Sequence, residues 1–238
     1  MDINSRKDKV FIILAGFFIT NAIVAELIAG KLFSLGPFVL SLGIILWPVV
    51  FLTTDLVNEY YGRKGVRTLS FITVGLISYM FVIITIGIYI DATSFSPVSN
   101  ENYKAVFGPS QYIIIGSILA FLASQLLDVF VFWLIRDKTG SKMIWFRATG
   151  STIVSQLIDT FIVLYIGFVL SGEWTMSVFW KNATLAYIFK LMVAVGLIPL
   201  IYLFHNLIEK YIGVQTSHIQ IQKVAEEALG RKIGRAHV

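Results

Sequence analysis

Ser124-Gln125-Leu126-Leu127-Asp128 recurs further along the chain as Ser155-Gln156-Leu157-Ile158-Asp159, each copy inside an apolar stretch. On a helix, Ser at i and Asp at i+4 lie one above the other with Gln at i+1 beside them, so each copy makes one polar patch. An ionised carboxylate at membrane depth costs at least about 2.5 kcal/mol, a poor way to hold two helices together. Gln125, Asp128, Gln156 and Asp159 are therefore read as substrate-binding residues, while the two serines are read as interhelical hydrogen bonds. An aspartate can accept two hydrogens from the amide-and-amine edge of a flat polar ring, and a glutamine can donate and accept on another edge. That chemistry, beside abundant aromatic side chains such as Phe130, Phe132, Trp133, Phe161 and Tyr165, suits a nucleobase. Lys190 either contacts the ligand or neutralises one aspartate, and Asn21 joins the site from the first apolar stretch. Glu26, near the end of that stretch, is read as structural, its carboxylate reaching water.

The elements that position these residues are membrane spans. The chain is 57% hydrophobic and 14% charged, well below the roughly 25% charged residues of soluble domains. Six apolar stretches, near 9–30, 37–56, 68–90, 111–135, 149–171 and 183–206, reach the length of about twenty residues needed to cross the hydrocarbon core. The expected fold is thus all-α: a polytopic membrane protein with six transmembrane helices over residues 1–210 and a short cytoplasmic tail, 211–238, that forms an amphipathic helix. Pro48 interrupts the second stretch. Asp91 to Ser110 reads as an exposed loop, and Trp145, Trp174 and Trp180 as interfacial anchors.

The basic residues set the orientation. Arg6, Lys7 and Lys9 precede the first stretch, and Arg63, Lys64 and Arg67 follow the second. Arg136, Lys138, Lys142 and Arg147 separate the fourth and fifth, and Lys210, Lys223, Arg231, Lys232 and Arg235 follow the sixth. Only Lys31, Lys104 and Lys181 fall on the opposite side, so both termini are expected in the cytoplasm. Basic residues that flank apolar spans argue for membrane orientation and against a nucleic-acid partner. The chain has no cysteine, which removes thiolate nucleophiles and thiolate metal sites. No paired histidines are present either, and neither a metal nor any other cofactor is expected.

Two functions use two intramembrane aspartates. One is solute binding and transport, with the motifs entering the bundle in opposite chain directions around a shared site. The other is an intramembrane aspartyl protease, in which facing aspartates share a proton and activate water. The Gly-x-Gly-Asp context of that class is absent around Asp128 and Asp159. Asp55, Asn58 and Glu59 lie in Thr54-Asp55-Leu56-Val57-Asn58-Glu59-Tyr60-Tyr61-Gly62-Arg63-Lys64, where they either gate or couple the site or merely cap a helix end.

That segment, together with the two Ser-Gln-x-x-Asp copies, resembles the queuosine precursor transporter family, also called the vitamin uptake transporter family. The likeness spans about residues 9 to 208. It implies import of deazaguanine bases, the cyano- or aminomethyl-substituted precursors of the tRNA nucleoside queuosine, across the bacterial inner membrane. It also implies a six-helix fold similar to the substrate-binding components of vitamin importers, whose energy comes from a separate ATPase module. The chain has no phosphate-binding Gly-rich loop of its own. It works alone, as a homo-oligomer, or with such a module.

Overall fold

The computed structural model describes residues 5–139 and 144–228. Helix α1 (Arg6–Ile28) opens on Ser5, whose Oγ accepts from the Asp8 amide at 3.0 Å and satisfies one orphan donor of the first turn. Its buried residues Val10, Leu14, Phe18, Ala22 and Ala25 recur every three or four positions and form one stripe against the rest of the bundle. A β-hairpin follows, β1 (Leu32–Leu35) and β2 (Phe38–Ser41), with Leu35 paired to Phe38 across a two-residue loop. Gly36, at φ 57°, supplies the positive φ that the first position of such a loop demands. The hairpin is tied back to the end of α1 by Ser41 Oγ donating to the Ala29 carbonyl (2.8 Å) and Leu42 N to that of Lys31 (2.7 Å).

After a 3-10 turn (Leu42–Ile45), α2 (Trp47–Tyr89) begins with Pro48 in its first turn, where the missing amide costs nothing. The span expected over 37–56 is therefore a strand, a turn and the first arm of α2, and Pro48 starts the helix instead of kinking it. The break comes at Gly62 (φ 63°, ψ −168°). A straight helix of 43 residues would be about 65 Å long. Here the chain reverses instead: Trp47 sits with Ala25 and Ala29, Tyr61 reaches the Lys7 carbonyl at 2.6 Å, and Ile84 returns to Ile23 and Leu27. Both arms thus run along α1, in opposite directions, and bury Val50, Leu56, Val57, Tyr60, Leu69 and Ile77 in the main core.

Residues 91–99 are the exposed loop, shorter than expected, because α3 (Asn100–Thr139) already begins at Asn100. Antiparallel α4 (Ile144–Leu164) continues as a π-turn, Tyr165–Val169. The two helices approach closely at glycines: a Cβ on Gly116 would lie 3.1 Å from Ile166 Cβ, and one on Gly167 3.0 Å from Ile113 Cγ1. The stretch expected as one span over 183–206 is two helices, α5 (Met176–Gly196) and α6 (Ile198–Ile212), separated at Leu197 because Pro199 opens α6. The tail folds as α7 (Val214–Ala228), matching the expected amphipathic helix, and lies against α2, where Gln220 Nε2 donates to the Tyr60 carbonyl at 2.8 Å. Arg6 donates to the Tyr211 carbonyl at 3.1 Å, so the start of α1 and the end of α6 share one end of the bundle.

Among the described residues four helices are long and apolar enough to cross a membrane: Arg6–Ile28, Lys64–Tyr89, Asn100–Ser124 and Met176–Gly196. The protein is a mostly helical membrane protein, with one small hairpin among the described residues. The hairpin connection is tightly built, since a Cβ on Gly43 would lie 2.5 Å from the Ala25 carbonyl oxygen. Gly43→Ala therefore forces two backbones apart and is expected to destabilise the protein by about 1–3 kcal/mol, seen as a lowered melting temperature in detergent.

Candidate functional site

The hairpin, the turn after it, the ends of α1 and α4, the start of α2 and parts of α3 and α5 line a cavity open at its mouth. The alanines at 25, 29 and 186 leave room that larger side chains would fill. Its walls carry Trp47, Phe168 and Trp174, the last two stacked with ring centres 4.4 Å apart and planes at 17°. Trp174 is held there because its amide donates to the Phe168 carbonyl at 2.8 Å, turning the chain after α4 back over the cavity. It is thus a wall of the site, whereas the sequence suggested a membrane-interface anchor.

Three ionisable groups meet in this space. Lys190 Nζ donates to Asp159 Oδ2 at 2.9 Å, with the two side chains 10% and 5% exposed. The ammonium also lies 5.6 Å from the centre of the Trp47 ring. Glu26 is 3% exposed, faces Ser117, and has one carboxylate oxygen, Oε2, without a hydrogen-bond partner. Thr160, next to Asp159, lines the cavity with a buried and unpartnered hydroxyl. Buried polar atoms are nearly always paired, so two such orphans on one cavity wall mark a place where a polar ligand's donors and acceptors are wanted.

The residues singled out from the sequence divide into groups. Asp159 and Lys190 are in the cavity and bonded to one another, so Lys190 neutralises this aspartate. Gln156 lies one turn before Asp159 on α4, its Oε1 buried without a partner, but it does not line the cavity. The side chains of Gln125 and Asp128 lie outside the described residues, as do those of Phe132, Trp133 and Trp145. Asn21 donates to the Phe17 carbonyl of its own helix at 2.8 Å and is not part of the cavity. Asp55, Asn58 and Glu59 also stand apart from it, on the first arm of α2 before the Gly62 reversal. Glu26, Trp47, Thr160, Phe168 and Trp174 are cavity residues that the sequence reading did not assign to a site. The available signal for Glu26 was its acidity inside an apolar stretch; no local pattern reveals the tryptophans' role.

A polar, charge-bearing cavity among apolar helices, with four membrane-crossing candidates among the described residues, marks a multi-pass membrane protein with a buried polar site. The facing, proton-sharing aspartates of a protease are not supported, since Asp159 is engaged by a lysine. The family described as "Putative vitamin uptake transporter" matches residues 41–204, and the chain belongs to it. A protein of Bacillus subtilis named "Probable queuosine precursor transporter" is 34% identical over 166 residues, covering 68% of this chain and 70% of that protein. A Haemophilus influenzae protein of the same name is 27% identical over 157 residues, covering 64% of this chain and 63% of its own length. No solved structure matches the chain.

Proposed function

We propose that this protein carries queuosine precursors, deazaguanine bases, across the bacterial inner membrane, and that the base lodges in the cavity bounded by Glu26, Asp159 and Lys190. The observation that carries the reading is the cavity itself: buried charge beside flat aromatic walls, in a family with relatives named for this substrate. Trp47, Phe168 and Trp174 offer faces for a planar ring, and Lys190, Thr160 and the acids offer hydrogen bonds to its edge.

The chain crosses the membrane six times in this reading. The two arms of α2 form separate crossings that reverse at Gly62, and α5 and α6 together make the last. Both termini are cytoplasmic, as the lysine and arginine distribution requires. Gln125, Asp128 and Gln156 lie on α3 and α4, on the path between the cavity and the cytoplasmic end, and Asn21 lies beside it on α1. Asp55, Asn58 and Glu59 serve at that end in gating or coupling. An ATPase module or a second copy supplies any energy or assembly that the chain lacks.

Melting of the detergent-purified protein with cyano- and aminomethyl-deazaguanine, guanine, adenine, riboflavin and biotin tests the reading. A ligand at 100 times its Kd stabilises by about 2.7 kcal/mol. A clear rise with the deazaguanines, and none with riboflavin or biotin, is expected. A rise with a vitamin alone, or with nothing in well-folded protein, would exclude these bases as the substrate.

A further inference from the structure

The two acids in the cavity are not equivalent. Asp159 is already satisfied by Lys190 at 2.9 Å, while Glu26, at 3% exposure, keeps Oε2 without any partner. A carboxylate oxygen left unpaired so deep in an apolar bundle is costly, and the cost falls when something brings donors to it. On the same cavity Lys190 holds an ammonium, which has three hydrogens and gives one to Asp159.

A guanine-like ring presents, along one edge, a carbonyl acceptor, a ring N–H and an exocyclic amine. Resting on the reading of the cavity as the base site, we infer that Glu26 is its specificity-determining residue. The Glu26 carboxylate accepts the ring N–H and the amine together, and Lys190 donates to the neighbouring carbonyl. A bidentate, charge-assisted pair of this kind is both strong and directional. Adenine offers a ring acceptor where guanine offers the N–H, so it sets a lone pair against the carboxylate and is rejected. Asp159 keeps Lys190 in place and does not itself read the amine.

The test compares cyano-deazaguanine with its analogue lacking the exocyclic amine, by equilibrium binding to wild type, Glu26→Gln and Asp159→Asn. Sites built to hydrogen-bond a polar group discriminate steeply against analogues without it. Wild type should bind the amine-free analogue about tenfold more weakly, because losing the amine leaves a buried carboxylate oxygen unpaired. Glu26→Gln should bind the parent base at least about tenfold more weakly and lose most of the discrimination, whereas Asp159→Asn should keep the ratio even if both affinities fall. Glu26→Gln protein that discriminates as wild type does would overturn the assignment. Equal binding of both compounds by wild type overturns it as well, with no variant needed, while leaving the cavity as the base site. Absence of binding of any base to folded wild-type protein would overturn both.

Discussion

Lys190→Met is expected to be the most damaging single substitution in the cavity, lowering stability by about 3–5 kcal/mol. The change removes one partner of a buried ion pair, and the remaining Asp159 is only 5% exposed in its side chain. Leaving that charge without its ammonium, close to a second acid at Glu26, costs more than the pair contributes when intact. Asp159→Asn should cost less than Lys190→Met, because the flexible lysine stem can carry its ammonium toward water at the cavity mouth. The double variant Lys190→Met/Asp159→Asn should recover a large part of the loss, since neither charge is then stranded. Melting of the four proteins in one detergent gives the coupling between the two residues directly. Strictly additive losses would show that the 2.9 Å contact contributes nothing and that Lys190 acts for another reason.

Gly62→Ala should destabilise by about 1–3 kcal/mol through two separable effects. The backbone there, φ 63° and ψ −168°, lies in a region that is essentially glycine's alone. A methyl group would also sit 2.9 Å from Val224 Cγ1 on α7. Val224→Ala relieves the second effect and leaves the first, so it should rescue Gly62→Ala only in part. If α7 is displaced, the Gln220 bond to the Tyr60 carbonyl is lost, and limited proteolysis should cut α7 faster in Gly62→Ala than in wild type. Unchanged melting and unchanged proteolysis would mean that the chain reverses by some other route. The reversal matters for function, because it brings the first arm of α2, and Trp47 at its start, back to the cavity.

Parts of this arrangement are legible residue by residue. Asp159 and Lys190 stand out as charges within apolar stretches, and the structure pairs them at 2.9 Å. The amphipathic spacing of Ile221 and Val224 in the tail announces a helix that must bury one face. Other parts are not legible. Residues 37–56 are apolar throughout, and a hydropathy sum cannot distinguish a strand, a turn and half a helix from one continuous span. Gly36-Pro37 is a turn signal, but its meaning depends on the strands pairing. Glu26 lies near the end of its stretch, which by itself suggests a carboxylate reaching water; the hairpin that shares its cavity comes later in the chain.

What the sequence determined by itself is the solvent and the cast. Apolar runs interrupted by a handful of acids, amides and one lysine require a membrane protein with a buried polar site, because free energy of transfer depends on composition and length alone. The tertiary structure decided which of those groups meet, and which acid is neutralised. Those outcomes depend on chain reversals at Gly36 and Gly62 and on close approaches at Gly43 and Gly116, where the absence of a side chain leaves almost no trace in a pattern of hydrophobicity. Distance in space, not spacing in the chain, left Asp159 satisfied and Glu26 waiting for a partner.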